Sequence, residues 1–456
     1  MPKDARPLRR ITRAAVKLLA GTLASRALGL VRVLLIARLF GGRALVDVFN
    51  IAFMIPNLFR RALAEQAIES AFLPTFRSLT TQGRVREAWR AASAVLNWLL
   101  VLLVVAAAVC WIIAPALVSG LLAPGFTPER SADAAHLGRL MCPFVVLIGV
   151  AAFLGSLLLA HGQTWAYGLA PTLFNAGWIA TMVLLHRRLG VYSLVLGVVV
   201  GGALQLLASA VLLALGRRRG LVRGGWQVSV GFADPAAYQV LQLAGPVCTA
   251  ALIDRLASVV DRAVASFLEV GSVAALGYAM QLVLAPYAFF ALSVGRAALV
   301  PLSERAASND WEGFRRALIW ALLLGLLVLV PVSAAAALLA HPIAWLLQGG
   351  KFGPEETRMA AAALRWYAFG LPGMGLVSIL SRALHAMKDT RSPLRAARWA
   401  LYANVLLSAL LALTPMKHAG IALATSIAMT LQAAVLFISL RTTLWPRSSE
   451  PAQSPR

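Results

Sequence analysis

Ionisable side chains stand inside stretches of sequence that are otherwise apolar, and their types suggest the binding of an anion. Arginines and carboxylates occur together there: Arg26, Arg32, Arg38, Asp47, Arg60, Arg61, Glu65 and Glu69 early in the chain, and Asp254, Arg255, Asp261, Arg262, Glu269 and Arg296 after its middle. A guanidinium is a permanently charged planar fork that matches phosphate and carboxylate oxygens. The set therefore predicts a cationic site with acidic partners.

The composition places these charges in a membrane. Hydrophobic residues make up 60% of the chain and charged residues 13%, with a mean hydropathy of +0.78. A soluble domain has about 25% charged residues. An ionisable group in the hydrocarbon core costs about 2.5–3.5 kcal/mol or more, so it persists mainly where it faces a cavity or a partner. Such a protein is predicted to be a transporter.

Apolar runs of about 20 residues predict membrane-spanning helices. We find twelve, at 18–40, 46–70, 91–118, 134–159, 164–185, 192–215, 240–268, 273–300, 315–340, 359–384, 394–414 and 418–440. The N-terminal segment and the even-numbered loops hold most of the Lys and Arg, which predicts cytoplasmic termini. This topology explains the net charge of +24, and no nucleic-acid partner is predicted.

The chain contains an internal repeat. Segments 71–90 and 298–316 share an apolar helix end, a proline, a polar loop and the start of an amphipathic helix. Segments 114–129 and 341–356 also match each other. Both pairs are separated by about 227 residues. Asn175 and Asn404 keep nearly that offset. Two parallel repeats predict an all-α protein of two six-helix lobes related by a pseudo-two-fold axis along the membrane normal. We expect lobes at 1–220 and 239–445, a cytoplasmic linker at 221–238 and a disordered tail at 446–456.

The buried charges fall on the first two predicted helices of each half, which the two-fold axis would bring together around a hydrated cavity. The expected cations of this cavity are Arg26, Arg32, Arg60, Arg61, Arg255 and Arg262. The expected acidic partners or gating residues are Asp47, Glu65, Glu69, Asp254 and Asp261. The alternative is structural: Arg38, Arg60 and Arg61 reaching lipid headgroups, and local pairs of Asp254 with Arg255 and of Asp261 with Arg262.

Motifs for other chemistry do not occur. The segment 349–353, GGKFG, lacks the first glycine of a phosphate-binding loop at the required spacing and has Phe352 where Ser or Thr is needed. The histidines and cysteines show no metal-ligand spacing, and there is no nucleophile elbow. The sequence predicts neither an enzyme nor a bound cofactor or metal.

The segment 25–74 resembles a known family. It reads SRALGLVR, ARLFGG and DVFNIAFMIPNLFRRALAEQAIESAFLP, and the part from Pro56 to Pro74 is long and distinctive. It is similar to the N-terminal signature of the MurJ/MviN family of lipid II flippases, within the multidrug/oligosaccharidyl-lipid/polysaccharide exporter superfamily. The segments 351–356 and 415–424 are also similar, so the resemblance covers nearly the whole chain.

The resemblance implies a flippase of the bacterial inner membrane that moves the undecaprenyl-diphosphate-linked peptidoglycan precursor to the periplasmic leaflet by alternating access. We expect it to function as a monomer. The family arginines would correspond to Arg26, Arg32 and Arg60, and the acidic partners to Asp47 and Glu65. The chain departs from the family pattern at Val33, at Gln281 and in having twelve predicted helices instead of fourteen. These departures leave open another cargo, either a different polyprenyl-linked oligosaccharide or a small molecule carried by an antiporter, and a non-transporting scaffold. A membrane enzyme such as a polyprenyl-phosphate glycosyltransferase is a separate alternative, but the loops are too short to build its catalytic site.

Overall fold

The chain folds into long α-helices. The computed structural model describes residues 5–60, 68, 72–222, 224–226, 235–387, 389 and 391–444. Within these ranges the only β structure is an isolated bridge between Gly349 and Phe352. The first helices are α1 (Ala5–Phe40), α2 (Ala44–Phe59), α3 (Leu73–Thr81), α4 (Val85–Leu117), α5 (Pro128–Met141), α6 (Pro143–Ala160), α7 (Thr164–Leu189) and α8 (Tyr192–Arg218).

The remaining helices follow the same pattern. They are α9 (Pro235–Ala265), α10 (Ser272–Ala307), α11 (Trp311–Leu338), α12 (Ala340–Trp345), α13 (Pro354–Phe369), α14 (Leu371–Ala386), α15 (Arg391–Ala412) and α16 (His418–Leu444). Six helical spans in the described residues are long and apolar enough to cross a membrane, and a seventh results if the bent pair α13 and α14 is one span. The expectation of an all-α protein with many membrane spans is confirmed.

Two of the predicted spans are built from two helices each. The predicted fourth span comprises α5 and α6, which meet at Pro143. The predicted tenth span comprises α13 and α14, which meet at a 41° bend at Gly370, two residues before Pro372 in the first turn of α14. Proline has no N–H to donate to the preceding turn, so it favours the start of a new helix over the continuation of the old one.

The helices form two compact units. Unit 1 consists of Met1–Phe40 and Val48–Leu256, and unit 2 of Gly41–Asp47 and Ala257–Arg456. The division falls inside α9. Unit 2 also includes Gly41–Asp47, which consists of the turn between α1 and α2 and the first residues of α2, and which we call the connector. The lobe and linker boundaries expected from the sequence stay predictions. Residues 223 and 227–234 of the expected linker, and the tail from 445, lie outside the described residues.

Small residues set the packing within unit 1. A Cβ on Gly21 of α1 would lie 3.0 Å from the backbone of Gly168 of α7, and one on Gly201 of α8 would lie 2.6 Å from the carbonyl oxygen of Phe174. Close backbone approach of this kind is a usual basis of helix association in lipid. It holds α1 and α8 directly against α7.

Unit 2 has its own core and its own close contacts. Phe314 and Leu318 of α11 are buried with Leu380 of α14 and Leu436 of α16. Gly370, at the bend between α13 and α14, faces α16, where an added Cβ would meet Ser426 at 2.7 Å.

Candidate functional site

Arg32 is held on α1 by polar contacts with α7. Its Nη1 donates a hydrogen bond of 2.7 Å to Oδ1 of Asn175. The amide of Asn175 is itself fixed, because Nδ2 lies 3.2 Å from the backbone and hydroxyl oxygens of Ser25 and from the backbone oxygen of Pro171. Asn175 is therefore oriented by both helices, and it presents its oxygen to the guanidinium.

An aromatic ring also contacts the guanidinium of Arg32. The guanidinium carbon lies 4.1 Å from the ring centroid of Trp178, one turn along α7 from Asn175. Trp178 is 2% exposed, and a Cβ on Gly197 of α8 would lie 2.3 Å from its ring, so the absence of a side chain there makes room for it. Phe53 of α2 packs against Trp178 at 5.3 Å between ring centroids. A cation over an indole face is stabilised by the ring quadrupole.

One nitrogen of Arg32 remains available. Its Nε is buried and has no hydrogen-bond partner among the described residues. A buried N–H without a partner is costly, and a guanidinium edge is suited to the oxygens of a phosphate. Arg32 is thus fixed at one nitrogen and on one face, while its Nε has no protein partner among the described residues.

The other expected residues of the first half are placed as follows. Arg60 lies at the end of α2, where its Nε donates to Oδ1 of Asn57 at 2.9 Å, and its charge acts on that of Arg32. Arg26 lies on α1 and is partly buried. Arg61, Glu65 and Glu69 lie outside the described residues. The structure therefore places Arg32 and Arg60 in unit 1, near enough for their charges to repel one another.

Asp261 is the buried carboxylate of unit 2. It lies on α9 and is 7% exposed. Its Oδ1 accepts from the hydroxyl of Ser408 at 3.1 Å and its Oδ2 from that of Thr425 at 3.0 Å. Asn404 adds a further polar contact, because its Nδ2 donates to the hydroxyl oxygen of Thr425 at 3.3 Å. Hydroxyl and amide groups, rather than the neighbouring Arg262 alone, compensate this carboxylate.

The expected cations of α9 have fewer contacts. Arg262 donates from Nη1 to the backbone oxygen of Ser258 at 3.3 Å, and the charge of Asp261 also acts on it. Arg255 is partly buried. Asp254 lies within α9, and its side chain is outside the described residues. Among the described residues, no three His, Cys, Asp or Glu side chains are grouped so that they could hold a metal ion.

Asp47 caps a helix of unit 2. Its two carboxylate oxygens accept from the backbone N–H groups of Gly271 and Ala274, each at 2.7 Å, at the start of α10. Side-chain oxygens at a helix N-terminus satisfy donors that have no partner in the helix, and a negative charge there is favoured by the helix dipole. The acidic residue expected as a gating group thus ties the connector Gly41–Asp47 to α10.

Further contacts hold the same connector. Arg43 forms ion pairs with Glu355 and Glu356 at the start of α13, and the hydroxyl of Tyr278 donates to the backbone oxygen of Gly41 at 2.9 Å. Gly41 has a φ of +87°, and a Cβ there would lie 2.8 Å from the carbonyl oxygen of Lys351. Only glycine fits this conformation without strain. We call the set of contacts made by Gly41–Asp47 the connector clasp.

Sequence reasoning missed several of these partners. Asn175 and Asn404 were noted only as equivalent repeat positions, and Trp178, Ser408 and Thr425 were not expected. A buried amide on an apolar helix was the available signal, since such groups require a partner. The identity of that partner depends on which helix packs alongside.

Comparison with known proteins identifies the family of this chain. The family model described as "Lipid II flippase MurJ" matches residues 36–447. The chain belongs to the lipid II flippase MurJ family. A lipid II flippase MurJ from Burkholderia cenocepacia is 31% identical over 428 residues, covering 92% of this chain and 82% of the relative. A probable lipid II flippase MurJ from Rickettsia prowazekii is 28% identical over 411 residues, covering 89% and 79%.

Solved structures agree with this assignment. A lipid II flippase MurJ in an inward closed conformation matches with a TM-score of 0.79 at 27% identity, over 94% of this chain and 88% of that one. An inward-facing multidrug resistance MATE family transporter matches with a TM-score of 0.73 at 15% identity, over 94% and 98%. The second likeness shows the fold alone. The resemblance seen in the sequence is confirmed, and membership of the MurJ family makes the protein a transporter and not a catalyst.

Proposed function

We propose that this protein is a lipid II flippase of the bacterial inner membrane that works as a monomer. It moves the undecaprenyl-diphosphate-linked peptidoglycan precursor from the cytoplasmic to the periplasmic leaflet by alternating access. The observation that carries the proposal, together with membership of the MurJ family, is the half-buried Arg32. This arginine is fixed by Asn175 and Trp178 and keeps its Nε for a ligand.

The charge of Arg32 suits a diphosphate. A cation held in an apolar helix costs about 2.5–3.5 kcal/mol or more, and the charge of Arg60 adds repulsion. An anionic ligand removes both penalties at once, because it neutralises the arginines and accepts their hydrogen bonds. The diphosphate headgroup of a lipid supplies that anion while its tail stays in the bilayer. Arg26 and Arg60 would hold the remaining phosphate oxygens.

The connector clasp is our candidate for one gate. The connector leaves α1 of unit 1, is held in unit 2 by Asp47 and Arg43, and returns to unit 1 in α2. Alternating access requires a set of contacts that is made in one state and broken in another. Hydrogen bonds from a carboxylate to a helix end can break and re-form without exposing apolar surface, which suits this role.

Complementation of a strain depleted of its own lipid II flippase tests the proposal. We expect the wild-type chain to restore growth and to restore lipid II to a reagent that reaches only the periplasmic face. Arg32→Ala should fail in both assays at normal protein level, while Arg38→Ala, an exposed arginine on the same helix, should succeed. Growth without periplasmic exposure of lipid II would contradict the cargo assignment and would favour another polyprenyl-linked oligosaccharide.

A further inference from the structure

Outside the proposed transport site, a proline in one helix leaves a backbone carbonyl free to bind an arginine of another. Pro115 lies inside α4 and has no N–H, so the carbonyl of Trp111 loses its usual helical donor. Nε of Arg139, on α5, donates to that carbonyl at 2.8 Å. The guanidinium carbon of Arg139 also lies 4.8 Å from the ring centroid of Trp111. One edge and one face of this guanidinium are therefore occupied by contacts with Trp111.

The position of Arg139 corresponds to the level of a membrane interface. His136, one turn earlier on α5, lies 6.2 Å between ring centroids from Tyr192, the first residue of α8. Trp111 and Tyr192 are 54% and 46% exposed. Exposed Trp and Tyr near helix ends are typical of the belt at lipid headgroups. Arg139 thus lies about one helical turn, roughly 5 Å, farther along α5 than His136, the residue that meets the start of α8.

Two further arginines lie at this end of the helices, on a face where few are expected. Arg187 and Arg188 are exposed in the last turn of α7, just before the turn that leads to Tyr192. The helix dipole favours cations there, but the distribution of loop charge makes this the extracytoplasmic face, which is normally poor in arginine. The carboxylates of α5 are those of Glu129 and Asp133, which precede Arg139 by ten and six residues, and neither forms an ion pair with it in the described part of the chain.

We propose that Arg139, Trp111, Arg187 and Arg188 form a binding site for the phosphodiester headgroup of an anionic phospholipid in the outer leaflet. The guanidinium is pre-oriented by Trp111, so its terminal nitrogens meet the phosphate with little loss of side-chain freedom. Arg187 and Arg188 supply the long-range attraction that selects an anionic lipid over a zwitterionic one. The site lies about 18 Å along α7 from Asn175, by helical rise, so it is separate from the proposed transport site.

Native mass spectrometry of the purified full-length chain with added phosphatidylglycerol tests this site. We expect retained phosphatidylglycerol, weak retention of phosphatidylcholine and no competition from millimolar inorganic phosphate. Arg139→Gln should weaken retention about tenfold, as expected for loss of a charge-assisted contact. The double variant Arg187→Gln/Arg188→Gln should weaken it as well, and because both side chains are exposed it tests the site even if Arg139→Gln fails to fold.

The matched control is Arg218→Gln/Arg219→Gln, two exposed arginines at the other end of α8. Retention unchanged in the Arg187/Arg188 variant would overturn the proposal. An equal loss in the control would overturn it too, because general electrostatic attraction would then explain the binding. Displacement of the lipid by inorganic phosphate would overturn the assignment to a lipid.

Discussion

Two buried asparagines occupy equivalent places in the sequence repeat, yet their partners carry opposite charge. Asp261 follows Arg32 by 229 residues, and Asn404 follows Asn175 by the same interval. In unit 1 the asparagine oxygen accepts from Arg32. In unit 2 the asparagine lies beside Asp261, and its own oxygen has no hydrogen-bond partner among the described residues. The repeat thus preserved the amide and the helix positions while the charge changed sign.

The side chains around Arg32 and Asp261 also differ, and each set favours the charge that it surrounds. Arg32 is stacked on the face of Trp178, which stabilises a cation. Asp261 receives the hydroxyls of Ser408 and Thr425, which stabilise an anion. Each pocket is complementary to its own charge. The scaffold and the chemistry of the two halves are therefore separable, and the phosphate site proposed above belongs to the first half.

The largest expected effect is that of Arg32→Ala. The change removes the half-buried cation and the Nε donor that has no protein partner among the described residues. Lipid II translocation should therefore fall at least about a hundredfold, as expected for the loss of two charge-assisted hydrogen bonds to the diphosphate. Translocation is measured as periplasmic lipid II at matched protein level, with Arg38→Ala as the control. Near-normal transport by Arg32→Ala would remove this arginine from the mechanism.

The second prediction exchanges the amide for a carboxylate in both halves. Asn175→Asp should pair with Arg32 and leave the Tm unchanged or higher, while neutralisation of the cation lowers transport about tenfold. Asn404→Asp should lower the Tm, because a second carboxylate beside Asp261 is repelled. Thermal unfolding of the detergent-purified variants measures the contrast. The same change in Tm for both would show that the two pockets do not differ in electrostatic character.

The third prediction concerns Asp261. Asp261→Ala leaves the buried hydroxyls of Ser408 and Thr425 without their acceptor, and it should destabilise the protein by about 1–3 kcal/mol. Asp261→Asn keeps one acceptor oxygen and should cost less. The measurement is the thermal unfolding midpoint of each variant beside Ser408→Ala. Equal midpoints for Asp261→Ala and the wild type would mean that these hydrogen bonds contribute little.

The smallest expected effect tests how the first pocket is positioned. Gly21→Ala should push α1 away from Gly168, with an overpacking cost of about 1–3 kcal/mol that improved helix propensity partly offsets. Gly29→Ala on the same helix meets no atom within 4 Å and should be neutral or stabilising. Thermal unfolding compares the two. If both alanines raised the Tm, the close approach of α1 and α7 would not determine the position of Arg32.

Much of the fold was predictable from the sequence because hydropathy is a local property. Each of the twelve predicted spans corresponds to a described helix or pair of helices, although the second is described only as far as Arg60. The breaks at Pro143 and Gly370 within two of the spans were not predicted. A proline or glycine can be absorbed in a bent helix or can start a new one, and the neighbouring helices decide which occurs.

Hydropathy and residue spacing were sufficient to predict that arginines and carboxylates lie within apolar helices, which helices carry them, and which family signature surrounds them. Their partners follow from the three-dimensional packing. Arg32 meets Asn175 across 143 residues, and Asp47 reaches the N–H of Gly271 across 224. Helical periodicity fixes which residues share a face of one helix, but the partner across an interface depends on which helices pack together and at what rotation. Those choices are made by side-chain packing over the whole unit, to which single glycines such as Gly21 contribute.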